Sequence, residues 1–271
     1  MLKIIPDAPA LLLRNRSGKT LVAPDLHLGY EKTLTSKGIN MPSQTNRIYI
    51  KMQKLVRQYK PQRIIFLGDI KHGTGKILTH EWTEIPDFFE KLLTEVDDLL
   101  IIPGNHDGGL KALLPSCVTL IPTKGMSLMD DAKKIYLMHG HTWPSPEAFM
   151  ADIIIMGHHH FAVEFKESSG TRSKEPIWVV TKYDVKRVIR SYLQYRNICS
   201  GDDPVNVFRK HFKMDPGRPN VIIMPTFNHM LSGTPLNKPR NKYLGPIFRS
   251  DRIKLEDSDT FLLDGTYIQL H

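Results

Sequence analysis

The sequence has few of the features that mark secreted, membrane or disulfide-stabilised proteins. Its two cysteines, Cys117 and Cys199, are too far apart for a CxxC motif and imply no disulfide framework, so we expect both to be buried or inert. The longest apolar runs, such as residues 8–13, are far shorter than the roughly 20 residues of a membrane helix. Asp7 and Pro9 also interrupt any secretory hydrophobic segment. We therefore expect a cytoplasmic protein that does not bind membranes.

Acidic residues are also scarce, and the deficit is uneven along the chain. The 271 residues include 37 Lys and Arg against 28 Asp and Glu, which gives a net charge of +9. Residues 1–165 have a net charge of +2, whereas residues 166–271 have a net charge of +7. A basic excess of this size favours a polyanionic partner, with an ordinary solvated surface as an equal alternative.

The rest of the composition is that of a globular protein. Hydrophobic residues make up 41% of the chain and charged residues 24%, which excludes a disordered or collagen-like protein. The length fits one large domain that spans residues 1–271.

Short apolar segments alternate with helical patterns along the first 160 residues. Residues 8–14 and 19–23 predict a β-hairpin around a Ser17-Gly18 turn. Helices are predicted from Ser43 to about Tyr59 and from Glu81 to Val96, and a later amphipathic helix from Lys182 to Ile198. Strands are predicted at residues 63–67, 99–102, 134–138, 152–156, 161–165, 177–181, 221–225 and 261–263.

Five of the predicted strands end in polar side chains that can bind metals. Because ligands bind beyond the carboxyl ends of strands in open α/β sheets, these ends predict one site at one edge of the sheet. Eight of the 12 histidines fall in these clusters: His27, His72, His106, His139, His141, His158, His159 and His160.

Oxygen and imidazole ligands in one site favour Mn²⁺, Fe²⁺ or Zn²⁺, and the lack of thiolates argues against a structural zinc or iron–sulfur site. Seven or more candidate ligands are too many for one metal. Two metals about 3.5–4 Å apart can share a carboxylate and bind both the attacking and the leaving oxygen of a displacement reaction at phosphorus.

The order of the motifs resembles that of a known enzyme family. Between residues 25 and 160 the chain contains Asp25-Leu26-His27, Gly68-Asp69-Ile70-Lys71-His72, Gly104-Asn105-His106-Asp107, His139-Gly140-His141 and Gly157-His158-His159-His160. This set resembles the calcineurin-like metallophosphoesterase superfamily. The resemblance implies an α/β fold, a two-sheet α/β/β/α sandwich, to which residues 170–219 would add a basic helical insertion.

The resemblance also implies a role for each motif residue. One metal would be held by Asp25, His27 and His160, and a second by Asn105, His139 and His158. Asp69 would bridge the two metals, and His106 would be the catalytic histidine beside the phosphate. Two divalent ions are implied, with Mn²⁺ favoured and Fe²⁺, Zn²⁺ or Ni²⁺ as alternatives. We expect His141 and His159 not to bind metal, because adjacent residues of an extended chain point to opposite faces.

Three segments are similar to one subgroup of this superfamily, the SbcD-related and DNA-ligase-associated phosphoesterases. They are residues 69–72, 139–144 and 222–236. The similarity implies that His72 acts near the scissile phosphate, and it suggests a helicase or ligase partner.

The favoured function is a phosphodiesterase or nuclease that acts on nucleic acid or nucleotides. The alternatives are a phosphomonoesterase and a metal-bearing scaffold that recruits repair or RNA-processing partners without catalysis. Residues 182–218 include nine basic and four acidic residues, and we expect them to hold a phosphate backbone. Tyr183, Tyr192 and Tyr195 either stack on bases or pack against the core.

Overall fold

The computed structural model describes residues 1–16, 18–35, 38–130, 133–166, 168–238, 243–249, 253 and 255–270. Ser17, predicted in the first turn, lies outside the described residues. The strands are β1 (Leu2–Ile4), β2 (Leu11–Asn15), β3 (Gly18–Pro24), β4 (Arg63–Leu67), β5 (Asp98–Ile101), β6 (Thr119–Leu120), β7 (Met126–Asp130), β8 (Lys133–Met138), β9 (Ile153–Met156), β10 (Phe161–Lys166), β11 (Arg172–Lys182), β12 (Asn220–Ile223), β13 (Thr234–Pro235), β14 (Asp259–Leu262) and β15 (Tyr267–Ile268).

The helices are α1 (Tyr30–Thr35), α2 (Thr45–Tyr59), α3 (Glu81–Leu93), α4 (Val185–Tyr195) and α5 (Pro204–Phe212). Short 3-10 helices cover Leu110–Leu113, Pro146–Met150 and Leu255–Asp257. In the described part of the chain, no helix is long and apolar enough to cross a membrane.

Two sheets form the centre of the fold. The first has the strand order β1-β2-β3-β4-β5-β6, in which β3 to β6 are parallel. The second has the order β13-β10-β11-β12-β9-β8-β7, and β14 and β15 extend it from β11. Strands β8, β9 and β12 run parallel to one another. Each sheet therefore has a set of parallel strands whose carboxyl ends can meet.

Alternate residues of each strand face different layers, as the period of two in a strand requires. In β4, Ile65 and Leu67 pack between the two sheets, whereas Ile64 and Phe66 pack under α2 and α3. In β9, Ile153 and Ile155 face the first sheet. The opposite face of the second sheet packs against α4 and α5. The four layers confirm the predicted α/β/β/α sandwich.

The segment predicted as a helical insertion, residues 170–219, differs from that prediction at its start. Residues Arg172–Lys182 form the strand β11, and only α4 and α5 within the segment are α-helical. Because Val188, Ile189 and Phe208 are buried against the second sheet, these two helices form the outer layer of the sandwich. The expectation for the cysteines was wrong on burial, since Cys117 and Cys199 are both exposed.

The β10–β11 hairpin extends beyond the ends of the neighbouring strands. In the ladder, Val179 pairs with Ile223 at the end of β12, whereas Pro176, three residues earlier in β11, pairs with Ala162. The outer part of the hairpin therefore projects beside the edge of the sheet where the carboxyl ends of β9 and β12 lie.

Candidate metal centre

The predicted ligands follow directly after the parallel strands of both sheets. Asp25 comes after β3, Asp69 after β4 and Asn105 after β5, all in the first sheet. His139 and His158 follow β8 and β9 of the second sheet. The site is thus assembled from two sheets.

Asp25, His27, Asp69 and His160 form one group, in which the potential ligand atoms all lie within 4.8 Å of one another. His27 Nε2 is 3.5 Å from Asp69 Oδ2, and His160 Nε2 is 3.5 Å from Asp25 Oδ2. These are the residues predicted for the first metal, together with the predicted bridge.

Asp69, His139 and His158 form a second group of the same compactness. His139 Nε2 lies 3.4 Å from Asp69 Oδ2 and 3.3 Å from Asn105 Oδ1. The other ring nitrogen, Nδ1, is 2.7 Å from the Leu67 carbonyl oxygen, to which it can only donate, so Nε2 faces the group without a proton when the ring is neutral. Asp69 belongs to both groups, as a bridging carboxylate must.

Buried atoms of the first group have no hydrogen-bond partner among the described residues. They are Asp25 Oδ1, His27 Nε2 and His160 Nε2. A buried polar atom without a partner lowers the free energy of unfolding by about 1–3 kcal/mol, so a bound ligand at these atoms would be favourable. Carboxylate oxygens and imidazole nitrogens are ligands for Mn²⁺, Fe²⁺ or Zn²⁺. The residues present therefore fit divalent metals.

The backbone at these ligands is strained. Asp25, His27, Asp69, His158 and His160 have φ angles of 49°, 41°, 48°, 70° and 46°, in the left-handed region that non-glycine residues rarely adopt. Each such residue costs on the order of 1–3 kcal/mol, and strain of this kind concentrates at functional sites.

Two motif glycines let the strand ends approach each other. A Cβ on Gly157 would lie 2.6 Å from Asp25 Oδ2, and one on Gly104 would overlap the carboxylate of Asp69. In their place, backbone amides reach the same two carboxylates. His158 N donates to Asp25 Oδ2 at 3.0 Å, and His106 N donates to Asp69 Oδ1 at 2.9 Å.

Comparison with known proteins agrees with this geometry. The family profile described as calcineurin-like phosphoesterase matches residues 18–191. The chain belongs to this family. No curated protein sequence matches the chain.

One solved structure of low sequence identity shares the fold, and a second aligns over about half of the chain. The nuclease MPE of Pseudomonas putida is 14% identical, has a TM-score of 0.51, and aligns over 97% of this chain and 96% of its own. The phosphoesterase Yfce of E. coli is 19% identical over 55% of this chain and 74% of its own, with a TM-score of 0.36.

Two further histidines lie beside the phosphoesterase centre. His106 Nδ1 is 2.5 Å from the carbonyl oxygen of His72, so Nδ1 is the donor and Nε2 faces the centre, 4.0 Å from Asp69 Oδ2. His72 Nδ1 is 3.2 Å from Nδ1 of His27, and its ring stacks on that of His106 with centroids 5.4 Å apart. His72 therefore contacts both a ligand and the predicted catalytic histidine.

Charges at the phosphoesterase centre are strongly coupled. Burial would raise the pKa of Asp69, but the hydrogen bond and charge of His139 lower it overall. Burial likewise disfavours the charged form of His139, yet Asp69 and Asp25 raise its pKa to about 9. Burial and the charge of His139 lower the pKa of His158 to about 3. These opposite shifts make Asp69 and His139 an ion pair, with His139 Nε2 3.4 Å from Asp69 Oδ2.

Asp107 supports the centre without belonging to the ligand groups. It accepts hydrogen bonds from Ile70 N and Gly104 N, both at 2.8 Å, and thereby joins the loops that carry Asp69 and Asn105. Burial raises the pKa of Asp107 to about 6. Its place in the Gly104–Asp107 motif was a signal in the sequence, although the motif did not reveal this contact.

Asn228 was not predicted as a site residue. Its buried Nδ2 donates to the carbonyl oxygens of Leu26 and His27 at 3.1 and 3.3 Å. The neighbouring Thr226 Oγ1 donates to the Asp25 carbonyl oxygen at 3.1 Å. The similar segment at residues 222–236 was the only hint, and the loop it forms holds the strained backbone of the first metal group.

The remaining candidates lie outside the two groups. His159 is buried and stacks on Phe161, and His141 packs on His139 with centroids 5.1 Å apart. Of the three tyrosines weighed for stacking, Tyr183 and Tyr192 are buried and Tyr195 is exposed.

Proposed function

We propose that this phosphoesterase is a dinuclear metal-dependent phosphodiesterase or nuclease, with nucleic acid as its substrate. The observation that carries the proposal is the shared carboxylate of Asp69. It belongs to two compact ligand groups, and His106 faces it from outside both. A scaffold that only bound metal would not need that histidine.

Two bound divalent metals would activate a water molecule and neutralise charge on the phosphoryl oxygens. The chain itself supplies a proton donor. The His72 carbonyl accepts the hydrogen bond of His106 Nδ1, so in the imidazolium form of the ring Nε2 can protonate the departing alkoxide and leave the ring neutral. His72 stacks on that ring and contacts His27, so it can orient both the proton donor and one ligand.

A polynucleotide substrate is favoured by charge and by one structural relative. Lys186, Arg187 and Arg190 on α4 are exposed, and the same helix ends at the exposed ring of Tyr195. That ring lies 6.0 Å from Trp143, four residues after His139. A basic helix face with an aromatic ring at its end suits a single strand. One solved structure that aligns over nearly the whole chain is a nuclease.

The finer assignments belong to the same proposal. The segment at residues 222–236 supports the SbcD-related and DNA-ligase-associated subgroup, and with it a helicase or ligase as a protein partner. The mixed oxygen and nitrogen ligands support Mn²⁺ as the preferred metal.

The test is an activity survey of the metal-depleted protein. It would be supplied with Mn²⁺, Fe²⁺, Zn²⁺ or Ni²⁺ and given an aryl phosphomonoester, an aryl phosphodiester, a cyclic nucleotide, labelled DNA and labelled RNA. We expect metal-dependent hydrolysis of the diester and of a polynucleotide. Hydrolysis of the monoester alone would favour a phosphomonoesterase, and no hydrolysis of any ester would favour the scaffold.

The basic face of α4 has its own test. Reversal of Lys186, Arg187 and Arg190 to Glu should weaken nucleic-acid binding and lower its dependence on salt, because phosphate contacts release counterions. Hydrolysis of the aryl diester should survive. Unchanged binding would remove α4 from the proposed interface.

A further inference from the structure

A second group of cations lies beside the metal centre. Arg47 and Lys51 are on the first two turns of α2, and His229 directly follows Asn228. Helix α2 runs back from the carboxyl end of β3 toward the start of β4, so its first turns lie at the same edge as the metal ligands. Burial lowers the pKa of His229, and the charges of Arg47 and Lys51 lower it further. The three side chains are therefore close enough to interact electrostatically.

Lys51 is held in a fixed position. Its Nζ lies 4.8 Å from the centre of the Phe227 ring, a buried side chain whose backbone N donates to the Pro24 carbonyl oxygen at 3.3 Å. Burial, and after it the charge of Arg47, lowers the pKa of Lys51. In the described part of the chain, neither Lys51 nor Arg47 forms an ion pair. An anion bound here would stabilise the half-buried Lys51 ammonium and offset the neighbouring positive charge of Arg47.

Two members of this group, Lys51 and His229, border an open cavity of about 710 Å³. Lys51, His229 and residues 230–233 form one side, and the projecting β10–β11 hairpin forms another with Arg172 and Lys174. The cavity's carboxylates, Asp7, Glu175 and Asp264, come from β11 and from the loops beside β2 and β14. Lys51 and His229 thus lie on a different side of the cavity from the strand that carries Glu175.

The cavity is connected to the metal centre through backbone contacts. Asn228 N lies 3.4 Å from the Asp25 carbonyl oxygen, and Thr234 N donates to the His160 carbonyl oxygen at 2.7 Å. The loop that carries His229 thus begins at one ligand of the first metal group and ends at another.

We propose that Arg47, Lys51 and His229 bind a second phosphate of a polynucleotide substrate while the metal centre holds the scissile one. This rests on the proposed function. A simple phosphomonoester or aryl diester has one phosphate, which the metals would hold, so only a substrate with further phosphates can use these cations. The cluster therefore selects polynucleotides over small esters by affinity and leaves the chemical step unchanged.

The experiment separates binding from turnover. Arg47→Gln, Lys51→Gln and the double variant keep most of each side-chain stem and remove the charge. Binding of a labelled single-stranded DNA of about 16 nucleotides, within the span of one binding fold, would be measured by anisotropy in a His106→Gln background loaded with Mn²⁺. Hydrolysis of an aryl phosphodiester would be measured without the His106 substitution.

At about 50 mM salt, the double variant should bind the oligonucleotide on the order of fiftyfold more weakly, and its salt slope should fall by about 0.7, since contact with one single-strand phosphate releases about 0.7 counterion. Its kcat/KM for the aryl diester should stay within about twofold, because uniform binding of a remote phosphate does not act on this ester.

Lys3→Gln is the matched control. Lys3 also lies over an aromatic ring, 5.8 Å from the centre of Tyr59, but Tyr59 ends α2 at the far edge of the sheet. This variant should bind the oligonucleotide normally.

The outcomes distinguish the two proposals. If the double variant binds DNA with unchanged affinity and salt slope, or if Lys3→Gln loses as much, the second-phosphate site is wrong. It is also wrong if kcat/KM for the aryl diester falls as far as DNA binding, since the cations would then act on the metal-bound phosphate. If wild-type protein hydrolyses no ester with any metal, yet the double variant alone loses DNA binding, the proposed function fails while the binding site stands.

Discussion

Replacement of His106 by Gln separates proton transfer from metal binding at the centre. The Nδ1 atom of His106 donates a hydrogen bond to the His72 carbonyl oxygen. The Nε2 atom faces Asp69 Oδ2 at a distance of 4.0 Å. The contact that links His106 to the carboxylate of Asp69 comes from its backbone N, which any residue retains. Gln therefore leaves intact the two ligand groups that share Asp69, although it removes one member of a third compact group, His27, His72 and His106. It also removes the imidazole that would supply the proton.

The expected loss is that of a general acid, roughly 10²–10⁴ in kcat. This corresponds to about 3–5 kcal/mol in the activation free energy. The loss should depend on the leaving group, because a phenolate with a low pKa departs without a proton and an alkoxide does not. We expect a small effect on a nitrophenyl diester and the full effect on an alkyl diester or DNA.

The assay is kcat for both leaving groups, together with metal content per chain. Metal content should match that of wild type. Equal losses for both leaving groups would refute the role as a proton donor. Loss of metal would show instead that His106 is a ligand.

The remaining predictions concern the ligands and their supports. Asp69→Asn should lower the occupancy of both metals, because one carboxylate serves both groups; elemental analysis that finds one full site would contradict the bridge. Metal affinity should rise with pH up to about 9, since His139 must lose its proton to bind and its raised pKa keeps it charged below that value; a titration flat between pH 6 and 9 would exclude this competition. Asn228→Ala should lower the free energy of unfolding by about 1–3 kcal/mol, because the carbonyl oxygens of Leu26 and His27 lose their donor; chemical denaturation would measure this, and an unchanged midpoint would contradict it.

Much of the fold could be predicted from the sequence because its strands are apolar and clear turn and loop residues separate them. The strand at residues 63–67 has the predicted bounds, and the predicted helix before it forms as α2. The apolar residues that it buries recur at helical spacing in the sequence: Ile48, Met52, Leu55 and Val56. The motif residues also come together as the strand ends implied. These features are local, so the sequence displays them directly.

Other features depend on contacts between distant segments. The first half of β11, Arg172–Pro176, is polar and largely exposed, and it gives no apolar signal for a strand. Strand β12 inserts between β9 and β11, an order that no local pattern specifies. The role of α4 and α5 as the fourth layer follows from that order. Asn228 could not be found because its partners are backbone atoms some 200 residues earlier.

Metal ions bound at this centre would also join the two sheets. Asp25, Asp69 and Asn105 belong to the first sheet, and His139 and His158 to the second, so each bound ion is a cross-link between layers that otherwise meet through apolar side chains. An ion present at a hundred times its dissociation constant stabilises the folded state by about 2.7 kcal/mol. The distance between the sheets also sets the spacing of the ligands. A core substitution between the sheets, far from any phosphate, can therefore change metal affinity, and metal depletion loosens the same core.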